Sequence, residues 1–193
     1  MPSRTSSHAS RTSWVVLVEG ASDRIAVETL ATRLGRDLVA EGIDVIAIGG
    51  AQAIGRHLAS LPADVRVAGL CDAGEEAAFR RALERAGVEP VATRSDLERH
   101  GFFVCESDLE DELIRSLGAA GVEAVLEQKS SLSAFRTFQK QPQWKGRPVE
   151  AQLRRFFGSS AGKIRYARPL VEALDLARVP EPLEALLAFV RPE

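Results

Sequence analysis

Glu19 closes an apolar run, Val15-Val16-Leu17-Val18, and is followed by Gly20 and, four positions on, by Asp23. Two other apolar runs end in the same way. Asp72 follows residues 65–71, and the acidic cluster Glu106, Asp108, Glu110 and Asp111 follows Phe102-Phe103-Val104-Cys105. If the runs are parallel strands, their C-terminal ends gather in one crevice, where open sheets bind ligands. Carboxylates crowded there repel one another unless a hard cation sits among the oxygens. Mg2+ typically takes one or two protein carboxylates and completes its shell with water or phosphate, so a site for Mg2+ or Mn2+ is expected. The competing reading makes these acids helix caps, since Asp and Ser favour that position and stabilise it by about 1 kcal/mol. Ser22, Asp23 and Asp108 fit either reading, whereas Glu19 lies before the glycine, where a cap is not expected.

The elements that must position these acids follow from periodicity. Helical patterns at 23–38, 52–61 and 75–86 separate strand patterns at 15–18, 44–48, 65–71 and 102–105, and Ser95-Asp96 opens one more short helix. Alternation at this spacing indicates a parallel α/β sheet. Beyond Asp108 the patterns are helical only, at 109–117, 122–128, 133–139, 149–157, 164–174 and 183–190, broken by Gly and Pro. The organisation expected is a disordered tail at 1–13, rich in Ser, Thr and Arg, then a catalytic domain at 14–117 and a helical, basic segment at 118–193.

At these residues the chain resembles the Toprim domain, the catalytic module of topoisomerases, DnaG-type primases and OLD-family nucleases. Glu19-Gly20 with Ser22-Asp23 resembles its first motif, and Cys71-Asp72-Ala73-Gly74 stands where its second, Asp-x-Asp, belongs. Glu106-Ser107-Asp108-Leu109-Glu110-Asp111 resembles the Ser-x-x-Glu segment of the OLD branch. The pieces 135–140 and 147–150 are similar to the tail of small stand-alone proteins described as Toprim nucleotidyl transferase/hydrolase domains. The fold implied is a Rossmann-like parallel sheet flanked by helices and followed by a helical C-terminal segment. The metal ligands implied are Glu19, Asp23, Asp72, Ser107 and Glu110, with Glu19, Asp72 and Lys163 catalytic, Lys163 in a basic loop matching the family's phosphate-neutralising lysine. Lys129, Lys140 and Arg165 compete for that last role. The second motif departs from the pattern, because its second aspartate is missing. Glu75 or Glu76 is the expected substitute, or a water.

Net charge is −2, which argues against coating nucleic acid by bulk electrostatics. Charge is nonetheless segregated: ten bases and one acid, Glu150, lie between Lys129 and Arg168. Six aromatic residues interleave with those bases, a pattern suited to phosphate contact through Arg154, Arg155 and Arg165, although helical spacing places most of the rings in a core. No apolar run approaches the roughly 20 residues of a membrane span, and no secretory signal is legible, so a cytoplasmic protein is expected. Cys71 and Cys105 read as buried thiols.

Two look-alikes lead elsewhere. Gly158-Ser159-Ser160-Ala161-Gly162-Lys163 has three residues between its glycines where a P-loop has four, and Ile164 follows where a P-loop has Ser or Thr. Gly49-Gly50 could cradle a phosphate, but such a pair is ordinarily a turn. His8, His57 and His100 are too scattered for a histidine mechanism. The function expected is therefore a Mg2+-dependent phosphodiester hydrolase acting on nucleic acid, DNA in particular, with a separately encoded ATPase as partner. A nucleotidyl transferase would need a nucleotide pocket that the sequence does not reveal. The alternative of another class is a decayed Toprim module that binds nucleic acid or that ATPase.

Overall fold

The computed structural model describes residues 14–191, so the tail expected at 1–13, with His8, lies outside the described residues. Four parallel strands, β1 (Trp14–Val18), β2 (Ile43–Ala47), β3 (Arg66–Asp72) and β4 (Phe102–Cys105), form one sheet in the order β2-β1-β3-β4. Four strands were expected, and each falls within a residue or so of its place. The register pairs Val18 with Leu70 and Asp72 with Cys105, so Glu19 and Asp72 emerge from neighbouring strands at the same edge. Gly69 is required on β3 by close approach: a Cβ there would stand 2.8 Å from the Phe102 ring.

Strand side chains alternate between two cores. Val15 and Leu17 join Cys71, Phe102 and Val104 beneath α2 (Ile54–Ser60), α3 (Glu76–Arg85) and α4 (Arg94–Arg99). Val16 and Val18 join Ala68, Leu70 and Phe103 on the other side, beneath α1 (Ala21–Arg33) and a set of C-terminal helices. These are α5 (Leu109–Gln128), α6 (Leu132–Gln139), α7 (Val149–Phe157), α8 (Ser160–Ala173) and α9 (Glu181–Phe189). Residues 118–193, read from sequence as a separate segment, thus contribute Leu153, Phe157, Leu170 and Leu183 to the same core as β1. The boundary drawn at 117 falls within α5, at a kink where Gly118 adopts φ 67° and ψ 164°.

Two arginines tie the C-terminal helices to α1 and the loop that follows it. Arg33, in the last turn of α1, donates to the carbonyls of Val171 and Leu174 at 2.8 Å. Arg36 donates to the carbonyl of Val190 at 2.6 Å and pairs with Glu41. Cations are favoured at helix C-termini, where the last carbonyls lack partners. α8 is thereby held against α1, and its N-terminus reaches the strand ends.

Candidate active site

A cleft of about 340 Å³ opens at the C-terminal edge of the sheet, lined by Glu19, Asp23, Gly49, Asp72, Ser160 and Lys163 among others. Glu19 and Asp72 come from the ends of β1 and β3. Asp23 is the third residue of α1, and its Oδ2 accepts from the Gly20 backbone N–H at 2.7 Å. One carboxylate oxygen therefore serves the helix while the group as a whole faces the cleft, so the cap and site readings of this residue coexist. Past β4 the cap reading is the one realised, since Asp108 does not line the cleft. Asp108 caps α5, accepting from the Asp111 N–H at 2.9 Å, and its second oxygen meets Arg154 at 3.0 Å.

Lys163 is not in a loop, as expected from the sequence, but in the first turn of α8. Ser159 caps that helix by accepting from the Gly162 N–H at 3.0 Å, which turns a Gly-Ser-Ser stretch into a helix start. From there Lys163 enters the cleft opposite the strand-end acids, and its Nζ meets Glu110 Oε2 at 2.6 Å. Glu110 is buried, 5 % exposed, and joins the cleft through this pair. Of the sequence competitors, Arg165 donates to Ser131 Oγ at 3.3 Å and lies over the Tyr166 ring; neither it nor Lys129 nor Lys140 lines the cleft. Ser107 lies half-buried in the turn after β4 and is not part of the cleft wall. Ser160 and the 45 %-exposed Ile164 are wall residues that carry no sequence signal of their own.

The acids sense one another. Burial raises the pKa of Asp72 to about 7, with repulsion from Asp23, Glu19 and Asp108 adding to it and Lys163 opposing it. Asp23 is raised to about 6 by burial, against the Gly20 hydrogen bond, and by Glu110 and Glu19. Glu19 is raised by burial and then by Glu75, Glu110 and Asp108, and its Oε2 is buried without a hydrogen-bond partner. Burial pulls the lysine down, but its hydrogen bond to Glu110 and the surrounding acids outweigh that and hold Lys163 above its usual range. One lysine thus faces several carboxylates, and the balance lacks positive charge.

Whether a hard divalent ion suits this cleft can be judged from the donors. Among the described residues, no three Asp, Glu, His or Cys side chains stand close enough as they lie to hold an ion. The donor set is all oxygen, however, one buried carboxylate oxygen has no partner, and the ionised acids are disfavoured by burial first and by one another's charge second. That chemistry fits Mg2+ or Mn2+, with Glu19, Asp23 and Asp72 as the available ligands.

The two expected substitutes for the missing aspartate part company. A single 3-10 turn, Ala73–Glu75, follows Asp72. Glu75 lines a groove with Glu19 and acts on it electrostatically. Glu76 is instead held by Arg80 and Arg94, at 3.1 Å each.

The aromatics that interleave with the bases gather on one another. Phe135 and Phe157 are fully buried and Tyr166 is 4 % exposed. With Phe138, Trp144 and Phe156 they form one network of ring contacts at 4.8–6.5 Å. The rings pack on one another because burying large apolar area outweighs presenting it to solvent, while Arg136, Arg147 and Arg165 stay over Phe135, Trp144 and Tyr166.

Residues 13–72 match the family model for the Overcoming lysogenization defect protein-like TOPRIM domain. Comparison with curated proteins returns no match. Among solved structures, the C-terminal region of the Xanthomonas campestris pv. campestris OLD protein, phased with platinum, is similar at a TM-score of 0.70. It is 23 % identical, over 93 % of this chain and 92 % of that one. The C-terminal region of the Burkholderia pseudomallei OLD protein is similar at a TM-score of 0.66 and 20 % identity, over 92 % of this chain and 96 % of that one. Residues 13–72, which carry β1 to β3 with Glu19, Asp23 and Asp72, are thus similar to an OLD-like Toprim domain, and both structural likenesses show that the shared fold extends through the C-terminal helices.

Proposed function

We propose that this chain is a divalent-metal-dependent phosphodiester hydrolase acting on nucleic acid, with DNA as the substrate. The observation that carries the reading is the convergence of Glu19, Asp23 and Asp72 on one cleft with Lys163 facing them. A divalent ion bound there supplies charge to the attacking and leaving oxygens of an in-line displacement. Glu19 and Asp72 would hold it, and Asp23, fixed by the Gly20 N–H, would complete the donor set. Lys163, kept protonated by Glu110, offers its charge to the phosphate undergoing attack. Glu110, reached through Lys163, steadies that lysine rather than sharing the cleft wall. Arg155 stays on the exposed face of α7, whereas Arg154 and Arg165 contact phosphate only by leaving Asp108 and Ser131.

Supercoiled plasmid incubated with the protein tests the reading. Nicked or linear product is expected in Mg2+ or Mn2+ and none in chelator. Cutting in chelator, or none in either metal, contradicts it. A second reading rests on one observation, the Asp72-Ala73-Gly74 sequence: a Toprim module that has lost its activity and binds nucleic acid or a separately encoded ATPase.

Glu75 and Glu76 give a graded test of how the lost aspartate is replaced. Glu75→Gln is expected to weaken Mn2+ affinity several-fold while moving thermal stability by less than about 0.5 kcal/mol, as surface substitutions do. Glu76→Gln should leave the metal isotherm unchanged, because its carboxylate is engaged by Arg80 and Arg94. Isotherms unchanged in both variants would place water at that position.

A further inference from the structure

A second groove, about 460 Å³, adjoins the catalytic cleft and shares Glu19, Gly49 and Gly50 with it. Ala51, Gln52, Ala53, Arg56 and Glu75 line the rest. The glycine pair forms the common wall. Both backbone N–H groups donate to the Glu19 carbonyl, at 3.1 and 3.0 Å, and φ is +76° and +105°. Those angles favour glycine. A Cβ at either position would meet nothing within 4 Å, so the space above the pair is open and the backbone angles alone call for glycine.

Arg56, on α2, is the cation of this groove. Its side chain is exposed and, among the described residues, has no ion-pair partner. Lys163, the cation of the catalytic cleft, is by contrast engaged by Glu110 at 2.6 Å. The two cations therefore lie in adjoining cavities with Glu19 in the wall of both. A cleft of carboxylates repels a polyanion on either side of its metal, and an unengaged guanidinium next to it offers what a neighbouring phosphate needs: a planar, permanently charged, multidentate donor.

We propose that this groove carries the nucleic-acid strand onward from the catalytic cleft, with Arg56 contacting the backbone phosphate next to the one that is cut. The inference rests on the hydrolase reading above and adds the path of the strand to it. Arg56 is a binding and positioning residue, and Gly49-Gly50, an ordinary turn by sequence, is the sill over which the strand passes.

The test uses the full chain and a short duplex DNA, with binding followed over a range of salt in Ca2+ and steady-state cleavage in Mg2+. Arg56→Gln should flatten the log–log salt dependence by about 0.7–0.9, the loss of one phosphate contact. It should also raise KM several-fold more than it lowers kcat, and Arg56→Lys should recover most of the salt slope. If the parent protein cuts DNA but Arg56→Gln leaves salt slope and KM unaltered, the strand does not run through this groove and the hydrolase reading stands. A parent protein that neither binds DNA in a salt-dependent way nor cuts it overturns both.

Discussion

Glu19→Ala and Asp72→Ala are each expected to abolish metal-dependent cleavage while making the metal-free protein more stable at pH 8. Both effects come from the same charges. Asp23 and Asp72, with pKa values raised to about 6 and about 7 from an ordinary 3.8, keep protons in the native protein that the unfolded chain has already released. Between about pH 4 and pH 7 the native state binds more protons, so stability falls as pH rises through this window. The contribution is fully present near pH 4 and lost above pH 7, the reverse of an acid held by a salt bridge. Removing a carboxylate removes its share of the penalty, and a domain of this size gains roughly 2–4 °C in Tm for each kcal/mol. A divalent cation offsets the same penalty, since its charge compensates both the burial of the carboxylates and their mutual repulsion. Added Mn2+ should therefore raise Tm by several degrees at pH 8 and hardly at all at pH 5. Thermal scans of the parent and of Asp72→Asn at the two pH values check this, and a metal-free Tm that climbs from pH 5 to pH 8 would contradict it.

Lys163→Ala should lower turnover by about 100-fold or more, the scale of losing one preorganised charge donor at a reacting centre, and affect DNA binding far less. The structure adds a complication that can be resolved. Lys163 is the ion-pair partner of the buried Glu110, and breaking a buried pair by removing one side costs about 3–5 kcal/mol, less here because the lysine is partly solvated. The variant is thus expected to lose stability as well as turnover. Lys163→Met combined with Glu110→Gln leaves no uncompensated charge and should recover stability but not activity. Recovery of activity in that double variant, or unchanged turnover in Lys163→Ala, would remove the lysine from the chemistry.

The acids were legible in the sequence because a strand writes itself twice, as an apolar run and as the glycine or acid that ends it. Glu19, Asp23 and Asp72 needed no more than that to be placed together. Lys163 was legible by resemblance but misplaced by local pattern: Gly158-Ser159-Ser160 reads as loop, and only the Ser159 cap makes it the start of α8. What brings α8 to the strand ends is non-local. The Arg33 contact to Val171 spans 138 residues, and no periodicity within either segment announces it. Glu75 and Glu76 show the finest limit. Adjacent and alike in sequence, they are sent to different surfaces by a single 3-10 turn. Arg56 had no signal at all, since one arginine on a short helix is unremarkable until the groove beside it is seen.

Calorimetric titration of Mn2+ into the metal-free protein at pH 6.5, repeated in two buffers of different ionisation enthalpy, tests whether the strand-end carboxylates hold a divalent ion. Binding should be accompanied by proton release, because Asp23 and Asp72 are partly protonated at that pH and must ionise to bind. The heat of binding should vanish in Glu19→Ala and in Asp72→Ala. An isotherm that is the same in the parent and in both variants, or binding with no proton release, would contradict it.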